Sequence, residues 1–208
     1  MQSIRREITM LAEQYATALN NKVSERVEEM RQDNLSHYLI YQVLGIDKNE
    51  GYMIDLYQNK GRFLYRYAGS FLEEAAYMCF QYKYPEAKKT RIPNNQGQRP
   101  KTFEIDCLVD DRAYEVKWRD ATTDGDHITK EHTRIKAIQS HGYIPIRVMF
   151  YYPNREQAIR IQRTIETVYK GIGGEYYCGD EAWKYITKKT DIDLRQLLED
   201  IVSSRTEG

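Results

Sequence analysis

Apolar side chains along the first thirty residues recur with the period of an α-helix. They stand three or four positions apart, at Ile4, Ile8, Leu11, Tyr15, Leu19, Val23, Val27 and Met30. This spacing predicts one long amphipathic helix with a narrow apolar stripe. The stripe either covers the core of its own domain or pairs, as a helical arm, with a second subunit.

The pattern is less regular between this helix and the first strand signal. We expect a short helix over 33–45, and turns around a short apolar stretch over 51–61. Helical spacing returns over 66–82, and Pro85 limits that helix. The segment 88–101 contains two prolines, a glycine and many polar side chains, so we predict a basic loop there.

The second half of the chain alternates strand and helix patterns. Residues 101–118 are rich in strand-forming side chains and carry a turn at Asp110-Asp111. The elements that follow are a helix at 129–140, a strand at 143–151, a helix at 154–169, a turn at 171–174 and a helix at 191–202. This order predicts a mixed α/β or α+β fold in which helices flank a small sheet.

Composition excludes several classes of protein. The 208 residues contain no apolar run of about 18, the length that a membrane-spanning helix needs. The charged start also lacks the apolar segment of a secretory signal. Three well-separated cysteines offer neither a disulfide framework nor a paired zinc motif. We therefore expect a cytoplasmic protein with reduced thiols.

Charge is balanced over the whole chain but not locally. The sequence has 31 basic and 31 acidic side chains, so its net charge points neither toward nor away from a polyanionic partner. Residues 83–101 nevertheless hold six basic side chains and one acidic side chain. This local excess favours contact with phosphates.

The predicted hairpin places chemically active side chains on one face. With a two-residue turn at Asp110-Asp111, Asp106 lies opposite Glu115, and directly opposed residues have Cβ atoms about 5 Å apart. Lys117 lies two residues beyond Glu115 and projects from the same face. The residues expected to face the other way, into the core, are Ile105, Cys107, Tyr114 and Val116.

Two carboxylates at this distance repel each other unless a cation lies between them or one of them is protonated. A hard divalent ion such as Mg²⁺ removes the repulsion, because it prefers oxygen ligands and accepts phosphate oxygens from a substrate. Lys117 then offsets charge on a phosphate or holds the attacking water. The simpler alternative is a structural ion cluster at the surface, since charged residues are abundant in this chain.

The pattern Asp106…Glu115-Val116-Lys117 resembles the metal site of the PD-(D/E)XK nucleases, with Ile105 in place of the proline that names the motif. The resemblance implies that Asp106 and Glu115 bind Mg²⁺, with the Val116 carbonyl as a third ligand. It also implies that Lys117 is catalytic and positions the attacking water.

The resemblance extends to the fold. The order of elements over 66–151 is similar to the αβββαβ core of that family, and residues 115–138 look most like type II restriction endonucleases of the ApaLI-like group. It implies one compact domain with three parts. These are an N-terminal helical region over 1–65, a nuclease core over 66–170 and a C-terminal helical extension over 171–208.

Members of this family often use a further carboxylate from the first core helix. Glu73 and Glu74 are the candidates here, and on the predicted helix Glu73 lies nearer to the apolar face. We therefore predict Glu73 as an additional catalytic residue. The alternative for both is an ordinary solvated helix surface.

DNA is the natural substrate of such a site, because amide and basic side chains nearby are suited to read base edges or hold phosphates. The candidates are Arg91, Asn94, Asn95, Gln96, Gln98, Arg99 and Lys101 in the basic loop, and Arg119, Lys130, His132, Arg134 and Lys136 after the second hairpin strand. A merely solvated loop is the alternative for the first group. His127 and His132 lie on different sides of a helix, which argues against a metal pair.

These features predict a Mg²⁺-dependent type II restriction endonuclease. It would cut both strands of a short palindromic site and leave 5′-phosphate and 3′-hydroxyl ends. One active site per chain implies a homodimer, and the family implies a DNA methyltransferase that protects host DNA. The alternatives are a repair or recombination nuclease on the same core, and a non-catalytic DNA-binding or helical interaction protein.

Overall fold

A computed structural model describes residues 2–97, 99–119 and 126–206, without the side chains of Asp126, His127 and Thr206. The helices are α1 Gln2–Gln32, α2 Tyr38–Val43, α3 Lys48–Lys83, α4 Asp126–Ser140, α5 Glu156–Gly171, α6 Asp180–Thr190 and α7 Leu194–Thr206, with a short 3₁₀ helix at Leu35–His37. The strands are β1 Lys88–Pro93, β2 Thr102–Val109, β3 Arg112–Arg119, β4 Ile144–Tyr151 and β5 Glu175–Cys178. The predictions for Gln98 and for the His127 side chain lie outside the described residues. Within these ranges, no helix is both long and apolar enough to cross a membrane.

The described strands form a mixed five-stranded sheet in the order β1-β2-β3-β4-β5. The pairs β1–β2 and β2–β3 are antiparallel, and the pairs β3–β4 and β4–β5 are parallel. The predicted mixed α/β fold is confirmed. From the end of α3 to β4 the elements follow the order αβββαβ, with β1 as the first of the three consecutive strands.

The hairpin of β2 and β3 has the predicted register next to its turn, where the pairs are Val109 with Arg112, Leu108 with Ala113 and Cys107 with Tyr114. Further along, a β-bulge at residues 106–107 interrupts the alternation of β2. Pairing with β1 passes from Lys88 with Leu108 to Thr90 with Ile105, so β2 holds one extra residue. Ile105 consequently joins the apolar cluster under α4, and the prediction that it faces away from the acidic pair is wrong.

The segment predicted as a basic loop begins with a strand. Lys88–Pro93 pairs with β2 at the edge of the sheet, so the prediction of a loop is wrong for these six residues. Exposed charged side chains are typical of an edge strand, and Pro93 stands at its last position, where a missing N–H is tolerated. Only Ile92 of this strand is buried, which left little apolar signal in the sequence.

Two further predictions of secondary structure are corrected. Helix α3 runs through 51–61, where we expected turns. A Cβ atom on Gly51 would lie 2.7 Å from Cδ2 of Tyr41, so this glycine permits the close approach of α2 rather than a turn. Strand β5 lies within the C-terminal segment that we expected to be helical, and its four residues are too few to show an alternating pattern.

The chain divides into two compact units, a sheet unit (residues 1–8 and 72–208) and a helical unit (residues 9–71). In the helical unit, the apolar stripe of α1 packs on α3 of the same chain. Tyr15 meets the rings of Tyr67 and Phe71 edge-on, at centroid distances of 6.2 and 5.8 Å. The apolar stripe of α1 was expected either to cover its own domain or to pair with a second subunit. In the described residues it packs on its own chain. The three predicted parts of the chain stay a prediction.

Candidate active site

The hairpin brings Asp106, Glu115 and Lys117 together. Nζ of Lys117 lies 2.5 Å from Oε1 of Glu115 and 3.9 Å from Oδ2 of Asp106. Oδ2 of Asp106 accepts a hydrogen bond of 2.8 Å from the backbone N–H of Val116. The bulge in β2 thus directs the Asp106 carboxylate toward β3, where the backbone holds it.

Both carboxyl groups are buried, Asp106 with 6% and Glu115 with 3% of its surface exposed. Burial, reinforced by the charge of Glu115, raises the pKa of Asp106. Burial also opposes ionisation of Glu115, but the charges of Lys117 and Arg134 outweigh it and lower the pKa of Glu115. The two pKa values move apart, which is the behaviour of like charges that share one site.

Helix α4 lays three charged side chains beside this pair. Lys130, Glu131 and Arg134 share one face, because residues three and four apart are neighbours on a helix. Arg134 forms an ion pair with Glu115 through Nη1. Its guanidinium also lies over the ring of Phe103, 5.7 Å from the centroid.

Arg147 of β4 is a buried cation that our sequence analysis missed. Parallel pairing places it beside Glu115 in the sheet. Its Nη1 donates to Oε1 of Glu131 at 3.0 Å, and the hydroxyl of Tyr169 donates to the same oxygen at 2.6 Å. An arginine inside an apolar strand was the available signal, since a buried arginine needs a partner. The side chain that pairs with Arg147 depends on the register of β3 and β4, which cannot be predicted from a local sequence pattern.

A cavity of about 430 Å³ adjoins these side chains. Its charged lining consists of Lys117, Lys130, Arg134, Arg147, Glu104, Glu115 and Glu131. Cations that converge beside two carboxylates can stabilise negative charge on a phosphate in a site of low dielectric constant. The cavity therefore suits the chemistry expected of the hairpin.

Both acidic candidates on α3 are held by Lys89 of β1, which our sequence analysis did not select as a site residue. Nζ of Lys89 lies 3.1 Å from Oε1 of Glu73 and 2.7 Å from Oε2 of Glu74. The charge of Glu73 contributes to the raised pKa of Asp106, after the larger effects of burial and Glu115. Glu73 is thus close enough to act on the carboxyl pair, and its catalytic role stays a prediction.

The donor atoms at the site fit Mg²⁺. The described residues contain no group of three or more His, Cys, Asp or Glu side chains placed to hold a metal ion. Two carboxylates with a backbone carbonyl are nevertheless a sufficient protein contribution, because Mg²⁺ keeps several waters and takes phosphate oxygens as further ligands. A divalent cation would also relieve the repulsion that helps to raise the pKa of Asp106.

The amide side chains between β1 and β2 are engaged within the loop and with α4. Asn94 donates through Nδ2 to the Pro100 carbonyl at 2.8 Å and accepts through Oδ1 from the Gln96 N–H at 2.9 Å. Nδ2 of Asn95 donates to Oγ of Ser140 at 2.7 Å. These bonds shape the loop, and they occupy amides that we predicted to read base edges.

The basic and imidazole candidates lie mainly at the surface. The exposed ones are Arg91, Arg99, Lys101, Arg119, Lys130, His132 and Lys136. Arg91 pairs across the sheet edge with Glu104 at 3.2 Å. Of these candidates, the structure brings Lys130 and the half-buried Arg134 to the cavity beside the carboxyl pair.

Comparison with known protein families gives a match over almost the whole chain. The model of the ApaLI-like restriction endonuclease family matches residues 1–203. Comparisons with curated proteins and with solved structures found no match.

Proposed function

Since the chain belongs to the ApaLI-like restriction endonuclease family, we propose that it is a Mg²⁺-dependent type II enzyme that cuts both strands of a short palindromic DNA site. The observation that carries this proposal is the cluster of Asp106, Glu115 and Lys117 beside a cavity lined by further cations. The products would carry 5′-phosphate and 3′-hydroxyl ends.

In this proposal Asp106, Glu115 and the Val116 carbonyl hold the metal ion. Bound there, Mg²⁺ supplies a Lewis acid for the scissile phosphate. Lys117 holds the attacking water, whose oxygen bonds to phosphorus while the bond from phosphorus to the 3′-oxygen breaks. The attacking water releases one proton to solvent, and the 3′-oxygen takes up one proton from solvent. Glu73, on the side of Asp106, serves as an additional carboxylate.

We assign the DNA contacts by the position of each side chain, at the cavity or at the exposed surface. Lys130 and Arg134 lie at the cavity and bind phosphates near the cut, whereas Arg99, Lys101, Arg119 and His132 lie at the surface and contact the flanking duplex. A DNA methyltransferase that protects host DNA belongs to the same proposal, as does a cytoplasmic location.

A homodimer completes the proposal, since a two-fold assembly supplies one active site for each strand. The apolar patch at α2 and its C-terminal end, defined here as Leu39, Ile40, Val43 and Leu44, supports it, because these side chains are 60–74% exposed. The helical unit carries eight acidic and seven basic side chains, so a second copy meets little repulsion and DNA meets little attraction. We therefore assign the patch to contact with a second copy.

Incubating the purified protein with a long DNA duplex and Mg²⁺ tests the proposed activity. We expect discrete fragments whose ends, when sequenced, share one palindrome and carry 5′-phosphates. Reactions without a divalent ion should leave the duplex intact. Preference for branched or damaged DNA would instead indicate a repair nuclease, and binding without any Mg²⁺-dependent cleavage would indicate a non-catalytic DNA-binding protein.

Val43→Asp should convert the dimer to a monomer, because the buried interface cannot hold an unpaired charge. The matched control is Val202→Asp on α7, where the valine is 64% exposed, and it should stay dimeric. Sedimentation equilibrium measures both. A dimer that survives Val43→Asp, or a parent protein that is monomeric at micromolar concentration, contradicts the assignment of the patch.

A further inference from the structure

We propose that Arg134 is an internal counter-ion, which neutralises Glu115 in the metal-free protein and moves to a DNA phosphate when Mg²⁺ binds. Arg134 would thereby couple the binding of the metal ion to the binding of DNA. The inference rests on the proposed function, because it takes Glu115 as a metal ligand.

Arg134 and a metal ion compete for the same oxygen atom. Nη1 of Arg134 and Nζ of Lys117 both contact Oε1 of Glu115, and this carboxylate has almost no exposed surface. A divalent ion that joined the two cations there would meet strong repulsion, since Coulomb interactions weaken little in a buried site. One of the two cations must therefore move away when the metal ion binds.

Charge balance at the site points in the same direction. Four basic side chains, Lys117, Lys130, Arg134 and Arg147, stand against four acidic ones, Asp106, Glu104, Glu115 and Glu131. With every group ionised the cluster is neutral, so a bound Mg²⁺ leaves an excess of two positive charges. A phosphodiester on the cavity side compensates part of that excess.

Arg134 is the cation best placed to move. Arg147 is 3% exposed and fixed to Glu131. Lys117 is 37% exposed, but it contacts both carboxyl groups, and in the proposed function it stays there to hold the attacking water. Arg134 projects from α4 with 21% of its side chain exposed, and it lines the cavity. Its planar guanidinium can bind two phosphate oxygens at once, which an ammonium group cannot match.

The consequence is cooperative binding. A DNA phosphate that draws Arg134 off Glu115 frees this carboxylate for the metal ion, and a metal ion on Glu115 frees Arg134 for the phosphate. By thermodynamic linkage, each ligand raises the affinity for the other by the same factor. Removing the charge of Arg134 should therefore tighten metal binding without DNA and abolish most of the coupling.

Titration of the full chain with Mn²⁺, followed by electron paramagnetic resonance of the free ion, tests this without any cleavage. Without DNA, we expect Arg134→Gln to bind Mn²⁺ at least about tenfold more tightly than the parent protein, because a unit charge beside the ligand is removed. Arg160→Gln is the matched control, because it makes the same chemical change in an exposed arginine of α5 that pairs with Glu156. Its affinity should change by less than about threefold, as expected for a more distant, solvent-screened charge.

Repeating the titration with a short random-sequence duplex measures the coupling. The duplex should tighten Mn²⁺ binding to the parent protein and to Arg160→Gln, but not to Arg134→Gln. Arg134→Met, which keeps an unbranched apolar side chain at this position of α4, is the second variant if Arg134→Gln does not fold.

The outcomes separate this inference from the proposed function. Unchanged Mn²⁺ affinity in the neutral Arg134 variants overturns the inference, and so does an equal gain in Arg160→Gln. Both results leave the metal site intact, provided that Glu115→Gln abolishes Mn²⁺ binding. A parent protein that binds no Mn²⁺, or that keeps its affinity after Glu115→Gln, overturns the proposed metal site and the inference together.

Discussion

We expect Glu115→Gln and Asp106→Asn each to slow DNA cleavage by about a thousandfold, because each removes a ligand charge that holds Mg²⁺ at the phosphate. DNA binding should persist or strengthen, since a negative charge beside the phosphates is lost. The rate of cleavage of a long duplex and the affinity for the same duplex without Mg²⁺ measure the two effects. Asp106→Asn is the milder change for the fold, because burial already favours the neutral form of Asp106.

The matched control for Glu115→Gln is Glu104→Gln. Glu104 lines the same cavity but pairs with the exposed Arg91 at the sheet edge, so its loss should change the cleavage rate by less than about tenfold. Circular dichroism confirms that each variant is folded. Mg²⁺-dependent cleavage by folded Asp106→Asn or Glu115→Gln at a rate near that of the parent protein would falsify the assignment of the metal ligands.

Arg147→Met should lower the free energy of unfolding by about 3–5 kcal/mol, because it removes the buried cation of the pair and leaves Glu131, whose side chain is 13% exposed, without this partner. Glu131 accepts hydrogen bonds from Arg147 and Tyr169, and the hydroxyl of Tyr169 cannot supply a positive charge. Urea unfolding measures the loss. The double change Arg147→Met with Glu131→Leu should recover part of it, since an apolar pair of similar volume replaces the ion pair.

Arg160→Met is the control for this loss. Arg160 forms an ion pair with Glu156 one helical turn away, and both side chains are exposed, so its removal should cost less than about 0.5 kcal/mol. If Arg147→Met and Arg160→Met lose equal stability, the buried ion pair does not have the structural role that we assign to it.

The carboxyl pair could be predicted from the sequence because its geometry is local. Three residues separate Asp106 from the turn, and three lie between the turn and Glu115, so the hairpin brings the two carboxylates near each other, although the bulge that adjusts Asp106 could not be foreseen. The contacts of Arg147 and Arg134 could not be predicted, because each depends on elements that meet only in three dimensions. Arg147 needs the parallel register of β3 and β4, and Arg134 needs the face of α4 that packs on the sheet.

Weak local signals account for the errors in secondary structure. Strand β1 is an edge strand with one buried side chain, so its sequence carries the charged composition of a loop. Gly51 suggested a turn, whereas the close approach of Tyr41 explains the glycine. In both places tertiary contacts determine the local structure, and the local composition follows from them.

The bulge at residues 106–107 shifts the phase of β2 by one position. In a regular strand, residues on one face are an even number of positions apart. Ile105 and Leu108 are three positions apart, yet both belong to the same apolar cluster, because the bulge lies between them. In evolutionary terms, the spacing from the turn back to Asp106 is constrained by the chemistry, whereas the spacing from Asp106 to the upstream apolar residues is constrained by packing. A one-residue insertion or deletion just before Asp106 can therefore be absorbed by a change in strand geometry, whereas the same event between Asp106 and Glu115 separates the two carboxylates.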